Sequence, residues 1–393
     1  MSDIYLGDCR EIRSVLADNT VDTIITDPPY GLEFMGKGWD KGVPGVEFWK
    51  EFLAIAKPGA MLLAFGGTRT FHRMACAIED AGWEMRDCMM WLYGSGFPKS
   101  HDISKALDAR AGAEREVVGY KCQGPRSMFD GGKPRPATLW NGWGTALKPA
   151  WEPIIVAMKP TDGTFAENAE KWGVAGLNVD GGRIGNNPGY SYPNGAGGNS
   201  FSVGKGIDHT RTDPVESTKG RWPSNLLLDE EAAGMLDGQS GRLSSGKIKT
   251  SYHRNVGNVN AYGKATKQYS TFNRSGDSGG ASRFFYCAKA SPSERNDGCD
   301  ALEERAAGGM SSRADGSLGS QTRSRNIHPT VKPLKLMEYL CTLTKTPTGG
   351  IVLDPFAGSG TTLLAAKNMG REYVGIEQNP EYFEIIKARL GLK

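Results

Sequence analysis

The sequence predicts an α/β fold in which a largely parallel sheet is flanked by helices. Short strands rich in β-branched and apolar residues alternate with helical segments in the first and last parts of the chain. Glycine turns such as Gly66-Gly67 separate these segments. Two of the strands, Val21 to Thr26 and Ile351 to Leu353, are each followed at once by an aspartate.

The first part of the chain supplies four predicted strands after the opening one, with helices between them. Phe48, Phe52 and Ile55 lie at helical spacing, which predicts a helix with one apolar face. Apolar runs that end at glycine or proline predict the strands. In order, the predicted elements are the strand Ile4 to Leu6, the helix Arg10 to Leu16, the strand Val21 to Thr26, the helix Glu47 to Ala56, the strand Ala60 to Phe65, the helix Thr70 to Ala81, and the strands Glu84 to Leu92 and Ile154 to Met158.

The middle of the chain, from Thr161 to Ser282, is rich in Gly, Asn, Ser and Tyr and has few long apolar runs. Its clearest structured element is Trp222 to Asp229. The composition predicts an inserted domain with long loops, or one that is partly disordered without its partner. Between Gly241 and Arg283 there are eight basic residues and one acidic residue. Such an excess suits a phosphate backbone, although basic loops are often merely solvated.

Regular patterning returns in the last part of the chain. A strand pattern resumes at Phe284 to Cys287, and Gly308 to Ser324 is again small and polar. Pro380 stands at a favourable first-turn position of the closing helix. The predicted elements that follow are the helix Pro333 to Thr344, the strand Ile351 to Leu353, the helix Thr361 to Asn368, the strand Tyr373 to Ile376 and the helix Pro380 to Leu390.

Several classes of protein are disfavoured by composition. No apolar run approaches the roughly 20 residues that cross a bilayer, and the start of the chain lacks a secretory pattern, which predicts a cytoplasmic protein. The seven cysteines are scattered and never spaced as CxxC, so neither a disulfide framework nor a structural metal site is predicted. The net charge of +3 does not by itself indicate a nucleic-acid binder.

A glycine-rich turn from Asp354 to Thr362 joins a predicted strand to a predicted helix. Glycines allow the backbone to approach a ligand closely, and the helix N-terminus offers unpaired N–H groups. The next strand ends at Glu377, where an acid could hold a ribose diol. A phosphate-binding loop would need lysine after Gly360, where Thr361 stands, and the spacing is not GxGxxG. The turn and the acid together predict a site for a nucleoside cofactor.

A second motif, Asp27-Pro28-Pro29-Tyr30, follows a strand directly. The two prolines fix an extended turn and remove N–H donors. The Asp27 carboxylate and the Pro28 carbonyl form an acceptor-only surface that can bind both hydrogens of an –NH2 group. Tyr30 offers a flat face on which an extruded base can stack. The alternative is that Pro-Pro only ends the strand and that Tyr30 packs nearby.

Together, these two motifs resemble the amino-methyltransferases that modify N4 of cytosine or N6 of adenine in DNA. Gly7-Asp8 and the segment His328 to Pro333 are further matches. The catalytic motif precedes the cofactor motif, an order similar to the beta class of this family. The resemblance covers about residues 1–160 and 284–393. It implies a Rossmann-like, S-adenosylmethionine-dependent methyltransferase fold with a circularly permuted mixed sheet: a catalytic half (1–160), an inserted target-recognition region (161–283) and a cofactor-binding half (284–393).

The resemblance implies the site residues position by position. Asp8 matches an acid near the cofactor adenine, Glu377 matches the ribose-binding acid, and Thr330 and Lys332 match positions near the methionine part of the cofactor. His328 is expected to order its loop. The catalytic residues are Asp27, Pro28, Pro29 and Tyr30; Asp27 is also assigned to the cofactor site with Asp354, Phe356, Gly358, Ser359, Gly360 and Thr361; and Glu152 is expected to have a structural role at the start of a late strand.

Double-stranded DNA is the partner that the resemblance implies. The insertion from Gly94 to Pro149 and the segment from Gly31 to Asp40 are candidates for loops that cover DNA. The alternative is that the aromatic residues Phe34 and Trp39 only anchor their own loop. The predicted DNA-contacting residues are Phe34, Trp39, Lys247, Lys249, Arg254, Lys264, Lys267 and Arg274.

The implied reaction is direct methyl transfer to the amino group of a flipped base. No Pro-Cys dipeptide, the nucleophile motif of cytosine-C5 enzymes, is present. Asp27 at the first motif position favours adenine N6 over cytosine N4. Two further functions compete with this one: a non-catalytic DNA-binding module, and a methyltransferase of RNA or protein. A homodimer and a restriction endonuclease partner are left open.

Overall fold

The computed structural model describes residues 2–32, 42–96, 100–110, 139–185, 189–191, 215–217, 220–244, 248–256, 266–274, 278–288, 292–306 and 323–392. Of these, 189–191, 215–217, 248–256, 266–274, 292–293 and 306 are described by their backbone alone. These residues belong to two compact units. One comprises Met1–Leu92 and Glu152–Lys393, and the other is Tyr93–Trp151. The predicted insertion from Gly94 to Pro149 lies within the second unit. The division at residues 160 and 283 stays a prediction.

The elements alternate along the chain as the sequence predicts. The strands are β1 (Asp3–Leu6), β2 (Val21–Thr26), β3 (Ala56–Phe65), β4 (Glu84–Leu92), β5 (Trp151–Met158), β6 (Gly189–Ser191), β7 (Val215–Ser217), β8 (Leu226–Asp229), β9 (Leu243–Ser244), β10 (Ile248–Val256), β11 (Thr266–Arg274), β12 (Ser278–Gly279), β13 (Tyr286–Ala288), β14 (Arg305–Ala306), β15 (Arg323–Ser324), β16 (Ile351–Asp354) and β17 (Glu372–Glu377). The α-helices are α1 (Val46–Ile55), α2 (Phe71–Asp80), α3 (Ile103–Arg110), α4 (Phe165–Trp172), α5 (Glu230–Ser240), α6 (Leu334–Leu343), α7 (Thr361–Asn368) and α8 (Pro380–Leu390).

Nine strands form one sheet in the order β1-β17-β16-β2-β3-β5-β4-β8-β13. The five strands from β1 to β3 run parallel to one another, whereas β5 is antiparallel to β3. The predicted mixed sheet flanked by helices is therefore confirmed. The late strand β16 lies beside the early strand β2, which joins the two ends of the chain in one sheet.

The pair β16 and β2 also marks the place where the connections diverge. From β16 the chain passes through α7 to β17 on one side, and from β2 it passes through α1 to β3 on the other. The loops that leave two such neighbouring strands part from each other and open a crevice at the strands' carboxyl ends, where ligands of α/β sheets bind. Both sequence motifs begin at this crevice.

The packing of α1 against the sheet holds this edge in place. Trp49, Phe52 and Ile55 lie on one face of α1 and are fully buried against apolar residues of the sheet and α2. Each such side chain contributes about 1.5–3 kcal/mol of burial free energy. The indole N–H of Trp83 donates to the Trp49 carbonyl at 3.0 Å, so this buried donor is satisfied.

Some predicted boundaries differ from the structure. The predicted helix from Arg10 to Leu16 is a 3-10 helix, Cys9–Ser14. It begins at Cys9 because the Asp8 carboxylate caps it by accepting from the backbone N–H of Arg10. The predicted strand from Phe284 to Cys287 instead begins at Tyr286, after a 3-10 turn at Ala281–Phe284. β8, which lies within the predicted insertion, pairs with β4 and β13 in the main sheet. No helix among the described residues is long and apolar enough to cross a membrane.

Candidate active site

Four acidic residues stand at the carboxyl ends of four neighbouring parallel strands. Asp8 follows β1, Glu377 ends β17, Asp354 ends β16 and Asp27 follows β2. The sheet order therefore gathers, along one edge, residues that are more than 300 positions apart in the sequence. This edge contains both the glycine-rich turn and the Asp27 motif.

Asp354 is buried and fixes the start of the glycine-rich turn. Its carboxylate accepts hydrogen bonds from the hydroxyls of Thr26 at 2.7 Å and Thr362 at 2.6 Å. The backbone N–H of Phe356 donates to it at 3.2 Å. Burial raises the pKa of Asp354 to about 6, although these hydrogen bonds oppose the rise. Asp354 therefore ties the turn to β2, the strand that carries Asp27.

Glu377 supports the same turn from the next strand. Its carboxylate accepts from the backbone N–H groups of Gly358 and Asn379, each at 2.8 Å. Burial raises the pKa of Glu377 to about 7. Gly358 has φ +54°, and a Cβ there would lie 2.8 Å from Nε2 of His328. Only glycine fits this left-handed, crowded position.

The hydroxyls of the turn point toward a buried arginine of α8. One nitrogen of Arg389 donates to the Ser359 carbonyl at 2.7 Å and to the Thr361 hydroxyl at 2.8 Å. Arg389 is 5% exposed, and burial lowers its pKa. Ser359 and Thr361 therefore brace the turn internally. The sequence does not indicate Arg389, because its partners lie about 30 residues earlier and no local pattern links them.

Asp8 and Phe356 lie on the side of the crevice formed by β1 and α1. The Asp8 carboxylate pairs with the Arg10 guanidinium, which lowers the pKa of Asp8. The same guanidinium lies over the ring of Phe48, 5.3 Å from its centroid. Phe356 packs against the rings of Phe48 and Phe52 at 6.0 Å. This side of the crevice is thus a mixed apolar and acidic surface.

Asp27 lies in a compact polar cluster at the end of β2. Its carboxylate accepts from the Tyr30 hydroxyl at 2.7 Å and from the Lys332 ammonium at 2.6 Å. Glu152, at the start of β5, reaches the same two groups: its Oε2 lies 3.2 Å from the Tyr30 hydroxyl and 3.3 Å from Lys332 Nζ. The sequence predicts only a structural role for Glu152, yet the fold brings it into direct contact with residues of the catalytic motif.

The charges in this cluster reinforce one another. Burial alone would lower the pKa of Lys332, but the neighbouring Asp27 and Glu152 carboxylates outweigh it and raise that pKa. Burial and the same two carboxylates raise the pKa of Tyr30 well above its usual value. Lys332 is therefore an ammonium and Tyr30 a neutral phenol that donates its proton to a carboxylate.

The loop before Lys332 is ordered by His328. Burial lowers the pKa of His328 to about 4, so its imidazole is neutral at neutral pH. Its Nδ1 bonds to the Thr330 carbonyl, which accepts, so Nδ1 must carry the proton. Its ring packs edge-on against Tyr382 at 4.5 Å. Thr330 itself is exposed and contributes this carbonyl to the loop.

The predicted DNA-contacting residues do not form a described surface. Phe34, Trp39, Lys247 and Lys264 lie outside the described residues. Lys249 and Arg254 lie on β10, and Lys267 and Arg274 lie on β11, of which the structure describes the backbone only. The two strands pair antiparallel, with Lys249 opposite Asn273 and Lys267 opposite Asn255. In the described part of the chain no cluster of acidic, histidine and cysteine residues could hold a metal ion.

Comparison with known proteins decides the family. The model of a DNA methylase family, that of the N6 and N4 enzymes, matches residues 21–388. The chain belongs to this N6/N4 DNA methylase family. It is 47% identical to the type II methyltransferase M.HindIII of Haemophilus influenzae over 434 aligned residues, covering 99% of this chain and 95% of that protein. A shorter match, 42% identical, joins 19% of this chain to 26% of the type II methyltransferase M2.MboI of Moraxella bovis.

Solved structures resemble this DNA methylase more loosely. A complex of M1.HpyAVI with SAM covers all of both chains, at 18% identity and a TM-score of 0.40. The cytosine-N4-specific PvuII DNA methyltransferase matches 98% of this chain and 85% of its own, at 14% identity and a TM-score of 0.43. The fold assignment therefore rests on the sheet itself and on the sequence family.

Family membership confirms the central expectation from the sequence. The chain is a site-specific DNA methyltransferase, and S-adenosylmethionine is its methyl donor. The residues at the crevice fit that donor: the left-handed glycines Gly358 and Gly360 shape a turn beside the strand-end acid Glu377, which suits a nucleoside.

Proposed function

We propose that this enzyme methylates N6 of adenine in double-stranded DNA. The observation that carries the proposal is the Asp27 carboxylate, held at the crevice by Tyr30 and Lys332. A carboxylate has about four lone-pair directions. Two of them are used here, so Asp27 can still accept a hydrogen bond from an exocyclic amino group. Aspartate at this motif position supports adenine over cytosine.

The proposed chemistry needs positioning more than acid or base strength. When bound, S-adenosylmethionine supplies a methyl group on a positively charged sulfur, so the amino nitrogen needs no covalent activation. Asp27 and the Pro28 carbonyl accept the two amino hydrogens, and Pro29 keeps the turn extended. As the nitrogen gains positive charge, the Asp27 carboxylate stabilises it. Tyr30 provides the face on which the flipped base stacks.

The proposed cofactor site lies along the neighbouring strand ends. Glu377 would hold the ribose, Asp8 lies on the adenine side, and Phe356 provides an apolar wall. Asp354, Ser359 and Thr361 act by shaping the turn, since their side chains already bond within the protein. Gly358 and Gly360 allow the close approach of the backbone. Thr330 belongs to the same proposed site.

DNA is proposed to contact the unit Tyr93–Trp151 as well as the basic stretch between Gly241 and Arg283. Trp140 and Trp143 pack edge to face at 5.6 Å and are 46% and 60% exposed. Exposed aromatic rings of this kind support contact with nucleotide bases. The type II designation of M.HindIII supports a place beside a restriction endonuclease. A homodimer is not needed for the proposed chemistry.

The proposal is tested by Asp27→Ala. We expect methyl transfer to be abolished while S-adenosylmethionine still binds, because Asp27 acts on the amino group. Isothermal titration gives the binding, and long-read sequencing of DNA from expressing cells gives the modified base and its site. Unchanged transfer by the variant would overturn the role of Asp27. N4-methylcytosine in DNA from cells with the native enzyme would overturn the choice of adenine.

A further inference from the structure

The Lys332 ammonium is contacted by three acceptors from two parts of the fold, the turn after β2 and the start of β5. Asp27 Oδ2, after β2, lies at 2.6 Å; the Tyr30 hydroxyl lies at 3.2 Å; and Glu152 Oε2, at the start of β5, lies at 3.3 Å. The Lys332 side chain is 10% exposed. Its ammonium also lies 4.9 Å from the centroid of the Phe65 ring, which attracts a cation.

Two of these contacts are hydrogen bonds, to Asp27 and Tyr30, and the third is an ion pair with Glu152. An ammonium has three N–H donors and no acceptor. Three oxygens of the protein therefore lie within 3.3 Å of the ammonium, whereas the family resemblance implies a role for Lys332 near the methionine part of the cofactor. The geometry directs the charge of Lys332 at the catalytic motif instead.

Glu152 reaches the same cluster from the start of β5. It touches both groups that contact Asp27, namely the Tyr30 hydroxyl and the Lys332 ammonium. A single Lys332 cation thus stands between two carboxylates whose side chains are 21% and 23% exposed. Glu152 balances the ammonium electrostatically and fixes the position from which it pairs with Asp27.

We propose that Glu152 and Lys332 are a positioning pair that orients the Asp27 carboxylate and the Tyr30 hydroxyl for methyl transfer, and that Lys332 does not bind the cofactor. This inference rests on the proposed role of Asp27. It assigns to Glu152 a part in the reaction beyond opening a strand. Both residues act through Asp27 and Tyr30.

The charge arrangement gives the pair a distinctive signature in the pH profile. Without the ammonium, Asp27 and Glu152 become two neighbouring carboxylates with no cation between them, and repulsion raises the pKa at which one of them takes up a proton. A protonated Asp27 cannot accept both an amino hydrogen and the Tyr30 hydroxyl as before. Loss of Lys332 therefore moves the acidic limb of the kcat profile to higher pH.

The first variant is Lys332→Met, which keeps an unbranched side chain as far as Cε and removes the charged ammonium. We expect kcat to fall on the order of a hundredfold, since misplacing a reacting group can have this effect. The acidic limb of the pH profile of kcat should move to higher pH by about one unit or more. The Kd for S-adenosylmethionine, from isothermal titration, should stay within about threefold, because the Lys332 ammonium contacts Asp27, Tyr30 and Glu152 within the protein.

The matched variant is Lys332→Met combined with Glu152→Gln, which removes the second carboxylate together with the cation. We expect the acidic limb of this double variant to return toward that of the native enzyme, although kcat stays low. Lys332→Arg keeps the charge and should retain more activity than Lys332→Met. Should Lys332→Met not fold, as judged by thermal unfolding, Glu152→Gln and Lys332→Arg carry the same test through kcat and the pH profile.

The outcomes separate this inference from the proposed function. A Lys332→Met variant with a Kd for S-adenosylmethionine weakened tenfold or more and an unshifted acidic limb would assign Lys332 to the cofactor and overturn the inference. If Glu152→Gln and Lys332→Arg are tested in its place, kcat values and pH profiles like those of the native enzyme for both variants would also overturn the inference. If Asp27→Ala remains active, the proposed function itself fails.

Discussion

Glu377 is held by two backbone N–H groups, yet burial raises its pKa to about 7 from an ordinary value of 4.5. The folded protein therefore binds a proton on Glu377 between these two pH values, whereas the unfolded chain does not. Its contribution to stability is full below about pH 4.5 and is lost as the pH rises through about 7.

The first prediction concerns Glu377→Gln. We expect the native protein to lose free energy of unfolding relative to this variant as the pH rises from about 4.5 to 7. The variant itself should be less stable by about 1–3 kcal/mol at the low end of this range, because its amide presents N–H groups to backbone donors. Urea unfolding at a series of pH values measures both. Parallel curves for the two proteins would rule out a titrating Glu377.

A related expectation concerns the cofactor. If Glu377 accepts the ribose hydroxyls, its charged form is the better acceptor. Affinity for S-adenosylmethionine should then increase as the pH rises through about 7, the pKa of Glu377, and Glu377→Gln should flatten this dependence. Titration calorimetry at several pH values checks it. An equally steep rise in the variant would assign the dependence to another group.

Residues with a local signature could be identified from the sequence, and residues that act across the fold could not. Asp27, Asp354 and Glu377 each follow or end a recognisable strand. Arg389 carries no such signal, because its partners lie 28–30 positions away. The position of Glu152 at the start of a strand indicated only a structural role, because its contact with Tyr30 joins residues 122 positions apart. The resemblance implies that Lys332 lies near the methionine part of the cofactor, and this role stays a prediction. The three contacts of its ammonium with Asp27, Tyr30 and Glu152 argue against it.

At the scale of elements, the strand–turn–helix from β16 to α7 depends on backbone geometry. Gly360 precedes α7 with φ +75°, and a Cβ there would lie 3.1 Å from the Ile386 side chain of α8. Gly370 follows the same helix with a similar φ of +64°, but nothing lies within 4 Å of its would-be Cβ. Substitution of Gly370 would therefore add backbone strain alone, whereas substitution of Gly360 would add both backbone strain and crowding.

We predict that Gly360→Ala destabilises the protein more than Gly370→Ala. Both variants bear the cost of a left-handed alanine, about 1–2 kcal/mol. Gly360→Ala adds overpacking against Ile386, typically about 1–3 kcal/mol, unless α8 shifts. Such a shift would disturb Arg389 and therefore the turn, so cofactor affinity should fall in this variant alone. Chemical unfolding and cofactor titration measure the two effects, and equal losses in both variants would contradict the argument.

The periodicity of the sequence predicted whether a segment is a helix or a strand. Some boundaries depend on contacts between elements, which the sequence does not show. The predicted strand from Ala60 begins at Ala56, because Ala56 pairs with Val21 across a register shift in β2. The helices Thr361–Asn368 and Pro380–Leu390 have the predicted bounds. Their signals are local: a glycine before α7, and Asn379 and Pro380 at the start of α8.

At the scale of the whole molecule, the order of strands in the sheet brings the Asp27 motif and the glycine-rich turn together in one site. The alternating pattern predicts parallel strands but does not say which are neighbours. The placement of β16 beside β2 is a finding of the structure. The regions between the regular elements were the least predictable, because their composition has no period to indicate pairing; β8 joins the main sheet although it lies in a glycine-rich region.

DNA binding also depends on the charge of the whole molecule. Because the net charge is only +3, a surface that binds DNA phosphates needs basic residues concentrated in one region. Each lysine that neutralises a phosphate changes the slope of log K against log salt by about 0.9. We predict that replacing Lys249 and Lys267, on the paired strands β10 and β11, with alanine makes this slope shallower by roughly 1.8.

The control is Lys50→Ala with Lys387→Ala, on α1 and α8, which removes the same charge and should leave the slope unchanged. Fluorescence anisotropy with duplex DNA at several salt concentrations gives both slopes; equal slopes in the two double variants would show that β10 and β11 do not contact the phosphates.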